Sequence, residues 1–123
     1  MEYQRSKSIK NAIVPERIVY GGITYKVTSI APRAFKNNKK LTKVTIGSNV
    51  KTIGKQAFYG CKNLKSITIK SKYLTTKSVG AKAFTKAGSK DYKKLVVKVP
   101  KNKKKVYVKL LKKKGLSFKA KVK

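Results

Sequence analysis

The stretch Val27–Asn49, VTSIAPRAFKNNKKLTKVTIGSN, aligns without a gap on Val50–Lys72, VKTIGKQAFYGCKNLKSITIKSK, so the chain repeats itself with a period of 23 residues. Nine positions are identical: Val27/Val50, Ile30/Ile53, Ala34/Ala57, Phe35/Phe58, Lys39/Lys62, Leu41/Leu64, Thr45/Thr68, Ile46/Ile69 and Ser48/Ser71. Val44/Ile67 is a conservative tenth pair, and seven of these ten pairs are apolar. A ladder in which each inward side chain stacks on its own copy one turn later gives this pattern, and a period in this range marks a repeat solenoid.

A third, irregular copy follows. Val79, Gly80, Ala83 and Phe84 match Ile53, Gly54, Ala57 and Phe58 at a spacing of 26, with three residues inserted around Tyr73 to Lys77. A polar excursion, Thr85 to Lys94, then precedes the apolar run Leu95-Val96-Val97-Lys98-Val99, which Pro100 closes. Within each copy, Leu41/Val44/Ile46 and Leu64/Ile67/Ile69 alternate as short strands. The Ala-Phe segments are predicted to form a short helical turn, with each Phe ring filling its layer.

Outside the repeats, Ile18 to Tyr25 places two β-prone runs around Gly21-Gly22 and predicts a hairpin covering the open end. Between Lys101 and Lys114, Val106, Tyr107, Leu110 and Leu111 fall at helical spacing, with Gly115 as the helix-ending glycine. Leu116, Phe118, Ala120 and Val122 alternate as a final strand. The expected organisation is a loose segment over 1–11 and one domain over 12–123. That domain divides into an opening cap (12–26), repeats 27–49, 50–72 and 73–100, and a closing helix-strand cap (101–123).

Composition narrows the function. The 34 lysines and arginines face three acids, Glu2, Glu16 and Asp91, for a formal charge of +31. Repulsion of that size opposes compaction, so apolar burial has to hold the fold and added salt should help it by screening. Only Arg5, Arg17 and Arg33 are arginines. Lysine is a strongly hydrated point charge that suits a solvated face, whereas reading of phosphates or base edges favours the guanidinium fork. Two readings stay open: a solvated basic surface or a footprint for a polyanion.

The inventory for catalysis is nearly empty. With no histidine, no paired carboxylates and the single cysteine Cys61, there is no acid–base pair, nucleophile triad or metal-ligand cluster. The expectation is no enzyme, no metal and no cofactor, with Cys61 a small buried residue. No stretch is long and apolar enough to span a membrane, and no signal-peptide core follows Met1, so a secreted protein of this kind would carry its signal upstream.

Function is therefore sought on a surface. Strand alternation turns Lys43 and Thr45, Ser66, Thr68 and Lys70, and Val96 and Lys98 outward as a Thr/Ser/Lys strip, equally readable as a plain solvated sheet face. Tyr59 and Tyr73, beside basic residues, are candidates to stack on sugars or bases, or simply cover the edge of the stack. A further basic patch is Lys103, Lys104, Lys105, Lys109, Lys112 and Lys113 on the closing helix.

These residues resemble the BspA-type leucine-rich repeats of bacterial surface proteins, whose 23-residue unit reads approximately V-x-x-I-G-x-x-A-F-x-x-C-x-x-L-x-x-V-x-I-P. Val50, Ile53, Gly54, Ala57, Phe58, Cys61, Leu64, Ile67 and Ile69 reproduce nearly all of it, and KNKKKVYVKLLKKKGL resembles the closing segment of such proteins in Firmicutes. The first copy departs from the pattern, with Asn38 at the cysteine position and Ala31-Pro32 around the glycine position. The strand-ending proline is replaced by Gly47 and Lys70.

The resemblance implies an α/β leucine-rich-repeat solenoid of short strands and helical turns. It also implies a non-catalytic adhesion module, extracellular or at the cell surface, facing host matrix, cells or anionic wall polymers; a teichoic acid or sulfated glycan as the partner rests on the +31 charge alone. Two other functions compete with it. One is a nucleic-acid binder without sequence preference, whose log affinity would fall by about 0.9 per phosphate contact with log salt. The other is a purely structural cap of a longer solenoid.

Overall fold

β-branched residues at alternate positions set the strands, and the 23-residue period sets their order. The computed structural model describes residues 2, 3 and 9–123. The strands are β1 (Glu2–Tyr3), β2 (Asn11–Val14), β3 (Arg17–Tyr20), β4 (Ile23–Lys26), β5 (Ser29–Ile30), β6 (Lys43–Ile46), β7 (Thr52–Ile53), β8 (Ser66–Ile69), β9 (Val96–Lys98) and β10 (Lys121–Val122). One α-helix, α1 (Lys104–Lys113), stands among the described residues.

The main sheet is parallel throughout, in the order β10-β9-β8-β6-β2. Its register follows the repeat: Val44 lies opposite Ile67, and Ile46 opposite Ile69. Val44, Ile46, Ile67, Ile69 and Val97 turn inward and are buried, as are Ala12 and Val14 of β2. A second, smaller parallel sheet, β1-β5-β7, is continued by a bridge from Ile53 to Val79. Each copy thus contributes one strand to the main sheet and one short extended segment to the smaller one.

Between the two sheets, Phe35, Phe58 and Phe84 are buried in one column. The rings of Phe35 and Phe58 lie 5.2 Å apart at 6°, and those of Phe58 and Phe84 lie 5.4 Å apart at 12°. Stacked aromatics contribute beyond their buried area, so the column is the main filler of the core.

The segments carrying these rings are not helical, contrary to the sequence expectation. Ala34 and Lys36 donate back to Ala31 and Arg33, each at 3.2 Å, as in tight turns. The amides of Arg33, Phe35 and Asn37 instead cross to Lys55, Ala57 and Tyr59, at 3.0, 2.8 and 2.7 Å. A helix directs every amide back along its own chain, so amides spent on the next layer exclude one. Positive φ recurs at matching positions, Arg33, Gln56 and Lys82, then Asn37, Gly60 and Lys86. For non-glycine residues this conformation costs roughly 1–2 kcal/mol each, so the layer-to-layer bonds must outweigh it.

Close approach of the layers explains one glycine position. A Cβ on Gly54 would sit 2.2 Å from Pro32 N, and one on Gly80 would sit 2.3 Å from Lys55 N. Both obstacles are backbone and cannot step aside.

The ends differ from expectation. The hairpin β3–β4 forms, and Gly21 and Gly22 supply its turn with φ of 60° and 78°. It does not cover the core: Val19 (72%), Tyr20 (73%) and Ile23 (57%) are exposed, and only Ile18 packs partly against the core. Asn11–Val14, placed in the opening cap by sequence, is instead the edge strand of the main sheet. Of the segment 1–11 expected to be loose, Glu2–Tyr3 pairs with Ser29–Ile30, while residues 1 and 4–8 lie outside the described set.

At the other end α1 buries Tyr107, Leu110 and Leu111, and Leu116 donates to Leu111 O at 3.0 Å past Gly115. Val106, expected on the apolar face, is 56% exposed, because the packing face narrows to the other three residues. The final strand is only Lys121–Val122. Residues 117–120 turn instead of extending, which buries Ala120 and leaves Phe118 84% exposed under the Lys112 ammonium, 5.2 Å from its ring.

Replacing Phe58 with alanine removes the middle ring of the column and should cost about 3–5 kcal/mol, read by urea unfolding. Gly54→Ala should be at least as damaging although it adds a single methyl group, and a Gly54→Ala chain as stable as the parent would show that the layers can part.

Candidate functional site

The outward residues of the main sheet form two rows that run across its strands. One row is Asn11, Lys43, Ser66, Val96 and Lys121, and the other contains Ile13, Thr45, Thr68 and Lys98. Neighbouring strands of a sheet lie about 4.8 Å apart, so this is a continuous face, mostly of polar and cationic side chains and interrupted by the apolar Ile13 and Val96. Five predicted residues, Lys43, Thr45, Ser66, Thr68 and Lys98, are brought together here. Lys70 follows directly after β8 and is exposed.

The two tyrosines lie elsewhere. Tyr59 is half-buried in the turn segment, with Lys36 and Lys86 ammonium groups 5.3 and 5.8 Å from its ring. Its faces are occupied by lysines of the layers before and after, so it supports the stack rather than offering an open platform. Tyr73 is 56% exposed in the insertion of the third copy, with Lys51 5.7 Å from its ring. The α1 lysines form a separate patch: Lys104, Lys105, Lys109 and Lys113 are exposed, whereas Lys103 and Lys112 are half-buried along their stems.

Sequence reasoning missed members of the face. Asn11 and Ile13, the latter 66% exposed, extend the rows at one edge, and Lys121 extends them at the other. Asn11-Ala12-Ile13-Val14 carries no polar/apolar alternation, because the outward Ile13 is apolar, so its alternating burial emerges only in the fold.

A second feature was missed altogether. A groove of about 710 Å3 opens beside the turns that lead into the strands. Lys10, Lys39, Lys40, Lys62, Lys65, Lys90 and Lys94 line it, with Asp91, Thr42, Asn63 and Leu64. The identical pair Lys39/Lys62 was its trace in the sequence.

Two buried polar side chains serve the scaffold. The Cys61 thiol donates to Phe35 O at 2.9 Å, linking adjacent layers. Burial pushes its pKa up to about 12, with a backbone hydrogen bond from Asn38 acting in the opposite direction. The corresponding positions of the other copies hold buried Asn38 and Ala87, so the site needs a small side chain and not a thiol. The Tyr107 hydroxyl donates to Ser71 O at 2.8 Å and accepts from Leu74 N–H at 3.1 Å, tying α1 to the insertion of the third copy. Burial also raises its pKa, against the lowering effect of those hydrogen bonds.

Among the described residues no group of three or more His, Cys, Asp or Glu side chains is placed to hold a metal, and no helix is long and apolar enough to cross a membrane.

Residues 16–114 match the family described as a BspA-type leucine-rich repeat region of six copies. The chain belongs to this family. The crystal structure of a leucine-rich cell surface protein from Faecalibacterium prausnitzii A2-165 is similar to it, with a TM-score of 0.56 and 25% sequence identity. The likeness covers 82% of this chain and 32% of that one, so this BspA-type chain spans about a third of the length of its structural relative. The comparison with curated proteins finds no match. In the family's repeat pattern, Val50 to Ile69 coincides with the layer that holds Phe58 and Cys61.

The raised thiol pKa has a stability consequence of definite sign. The folded chain holds its Cys61 proton above the ordinary pKa of 9.0, so this group's contribution is complete below pH 9 and is lost as the pH climbs toward 12. At pH 9 Cys61 should stay inert to a thiol-specific reagent in the folded chain and react fully in concentrated guanidinium. Rapid labelling of the folded protein would show that the layer opens.

Proposed function

We propose that this chain is a non-catalytic binding module of a bacterial cell-surface or secreted protein. Its layers form a solenoid, the segment from α1 to β10 closes the far end, and the main sheet offers its outward face to host matrix or to another cell. The observation that carries this reading is the pair of in-register rows, Lys43–Ser66–Val96 and Thr45–Thr68–Lys98. They present one regular, rigid and mostly polar surface, with Val96 its apolar member, on a fold that belongs to a repeat family. Supporting it, a relative of similar structure is described as a cell surface protein.

Rigid sheet faces recognise partners by repeating side chains at fixed spacing, and extended solenoid surfaces are used in this way. Threonine and serine supply hydroxyl donors and acceptors that a partner's backbone can satisfy, while Lys43 and Lys98 add charge at the margins. Nothing on the face has the acid–base pairing that a reaction needs.

The test is binding of the purified chain to matrix proteins, glycans, wall polymers and DNA at low and at roughly physiological salt, where exposed charges are screened beyond about 8 Å. A partner retained at the higher salt should lose about tenfold or more in affinity when Lys43, Thr68 and Lys98 are replaced together by alanine. Uniform polyanion binding that vanishes with salt and ignores this triple would overturn recognition by the sheet face, and would leave the chain as a cap of a longer solenoid.

A further inference from the structure

The groove beside the strand-entry turns is built from residues that the sheet face does not use. We infer that it is a binding site for a linear acidic polysaccharide, laid along the stacking direction with its sulfate or carboxylate groups on successive layers.

Lys39 and Lys62 hold the same position in consecutive copies, and the third copy delivers Lys90, whose N–H donates to Lys62 O at 3.0 Å. A second row runs beside it. Thr42 N–H donates to Lys10 O at 2.8 Å, Lys65 N–H to Thr42 O at 2.9 Å, and Val96 N–H to Lys65 O at 3.0 Å, with Lys94 two residues ahead of that strand. The layers advance by the 5.2–5.4 Å that separates the stacked phenylalanine rings. The first row therefore carries one lysine in each of three successive layers, Lys39, Lys62 and Lys90, and the second adds Lys10, Lys65 and Lys94, with Thr42 between the first two.

The third copy is irregular, and its polar excursion places Lys90, Asp91 and Lys94 in the lining, residues without a counterpart in the shorter 23-residue copies. A concave site lined by one sign of charge focuses its potential and attracts counter-ions far more strongly than the same lysines scattered on a convex face. Among the nine identical pairs of the first two copies, Lys39/Lys62 is the only one exposed in both. Packing does not explain its repetition, whereas a repeating ligand does.

Charge spacing and lining chemistry select the ligand class. An extended polysaccharide advances one sugar ring over a length comparable to one layer, so one acidic group per ring stays in step with the lysines. An acidic peptide rises about 3.3 Å per residue and shows every second side chain to one face, which drifts out of step within two layers. Single-stranded nucleic acid is held through aromatic platforms, and no lining residue is aromatic. Duplex DNA, whose grooves and phosphates ask for no repeat of about 5 Å, is left as a competitor in the test. Asn63 and Thr42 add polar groups between the cations, with Leu64 beneath.

The test uses a heparin-derived hexasaccharide as the probe, with its desulfated counterpart, oligothymidylate, duplex DNA and oligoglutamate of matched charge as competitors. Titrations run at roughly 0.15 M salt. One variant carries Lys39→Gln, Lys62→Gln and Lys90→Gln. A control removes the same charge from α1 by Lys105→Gln, Lys109→Gln and Lys113→Gln. A third, Asp91→Asn, removes the groove's single acid.

The groove triple should weaken hexasaccharide binding by about tenfold or more, the control triple by no more than about twofold, and Asp91→Asn should strengthen binding. Equal losses in both triples would overturn the site and leave binding that follows net charge alone. A nucleic acid or oligoglutamate that outcompetes the hexasaccharide at equal charge would overturn the ligand class. All the substituted residues are exposed, and neither outcome bears on the sheet face, whose test uses Lys43, Thr68 and Lys98.

Discussion

In-register stacking of one layer on the next is the constraint from which the rest of this structure follows. The phenylalanine column fixes a layer spacing near 5 Å, which brings backbone amides of the turns within reach of the carbonyls of the following layer. Those cross-layer bonds forbid a helix in the turns and impose left-handed residues at matching positions. They also leave no room for a Cβ at Gly54 or Gly80. The same spacing lines up the sheet's outward rows and the lysines of the groove. Surface and core therefore share one period, set by a buried ring.

A formal charge of +31 makes this arrangement costly to hold together, because nearly every charged side chain carries the same sign. The chain answers by burying apolar residues in one continuous core and keeping lysines exposed or half-buried along their stems. Position, not number, is then what gives the charge a use. Lysines on α1 spread around a convex surface, whereas those of the groove converge on a concave one. The two populations are indistinguishable by composition and differ only in the shape beneath them.

Much of this was legible in the residues. Nine identical positions at a spacing of 23 gave the repeat, the buried ladder and the strands, since identity at a fixed period leaves little choice about which side chains stack. Gly21-Gly22 gave the hairpin and Gly115 the end of α1. The helical turn was misread because short Ala-Phe segments carry no sign of whether their amides bond within the chain or across layers. Two β-prone runs around Gly21-Gly22 specify a hairpin but not the direction in which it projects, and Val19, Tyr20 and Ile23 face outward. Of the candidate site, the strip on β6, β8 and β9 followed from alternation. The groove did not, because its lysines come from turns and from an insertion without a counterpart in the other copies.

The central claim is that a stacked apolar core holds the chain against its own charge. The most direct measurement is the urea unfolding midpoint as sodium chloride is raised from roughly 0.02 M toward 0.5 M, which shortens the screening length severalfold. The midpoint should climb steadily with salt at an unchanged slope, because screening relieves repulsion without altering the surface exposed on unfolding. A midpoint that is flat or falls with salt would mean that the core is not working against a net repulsion among the lysines.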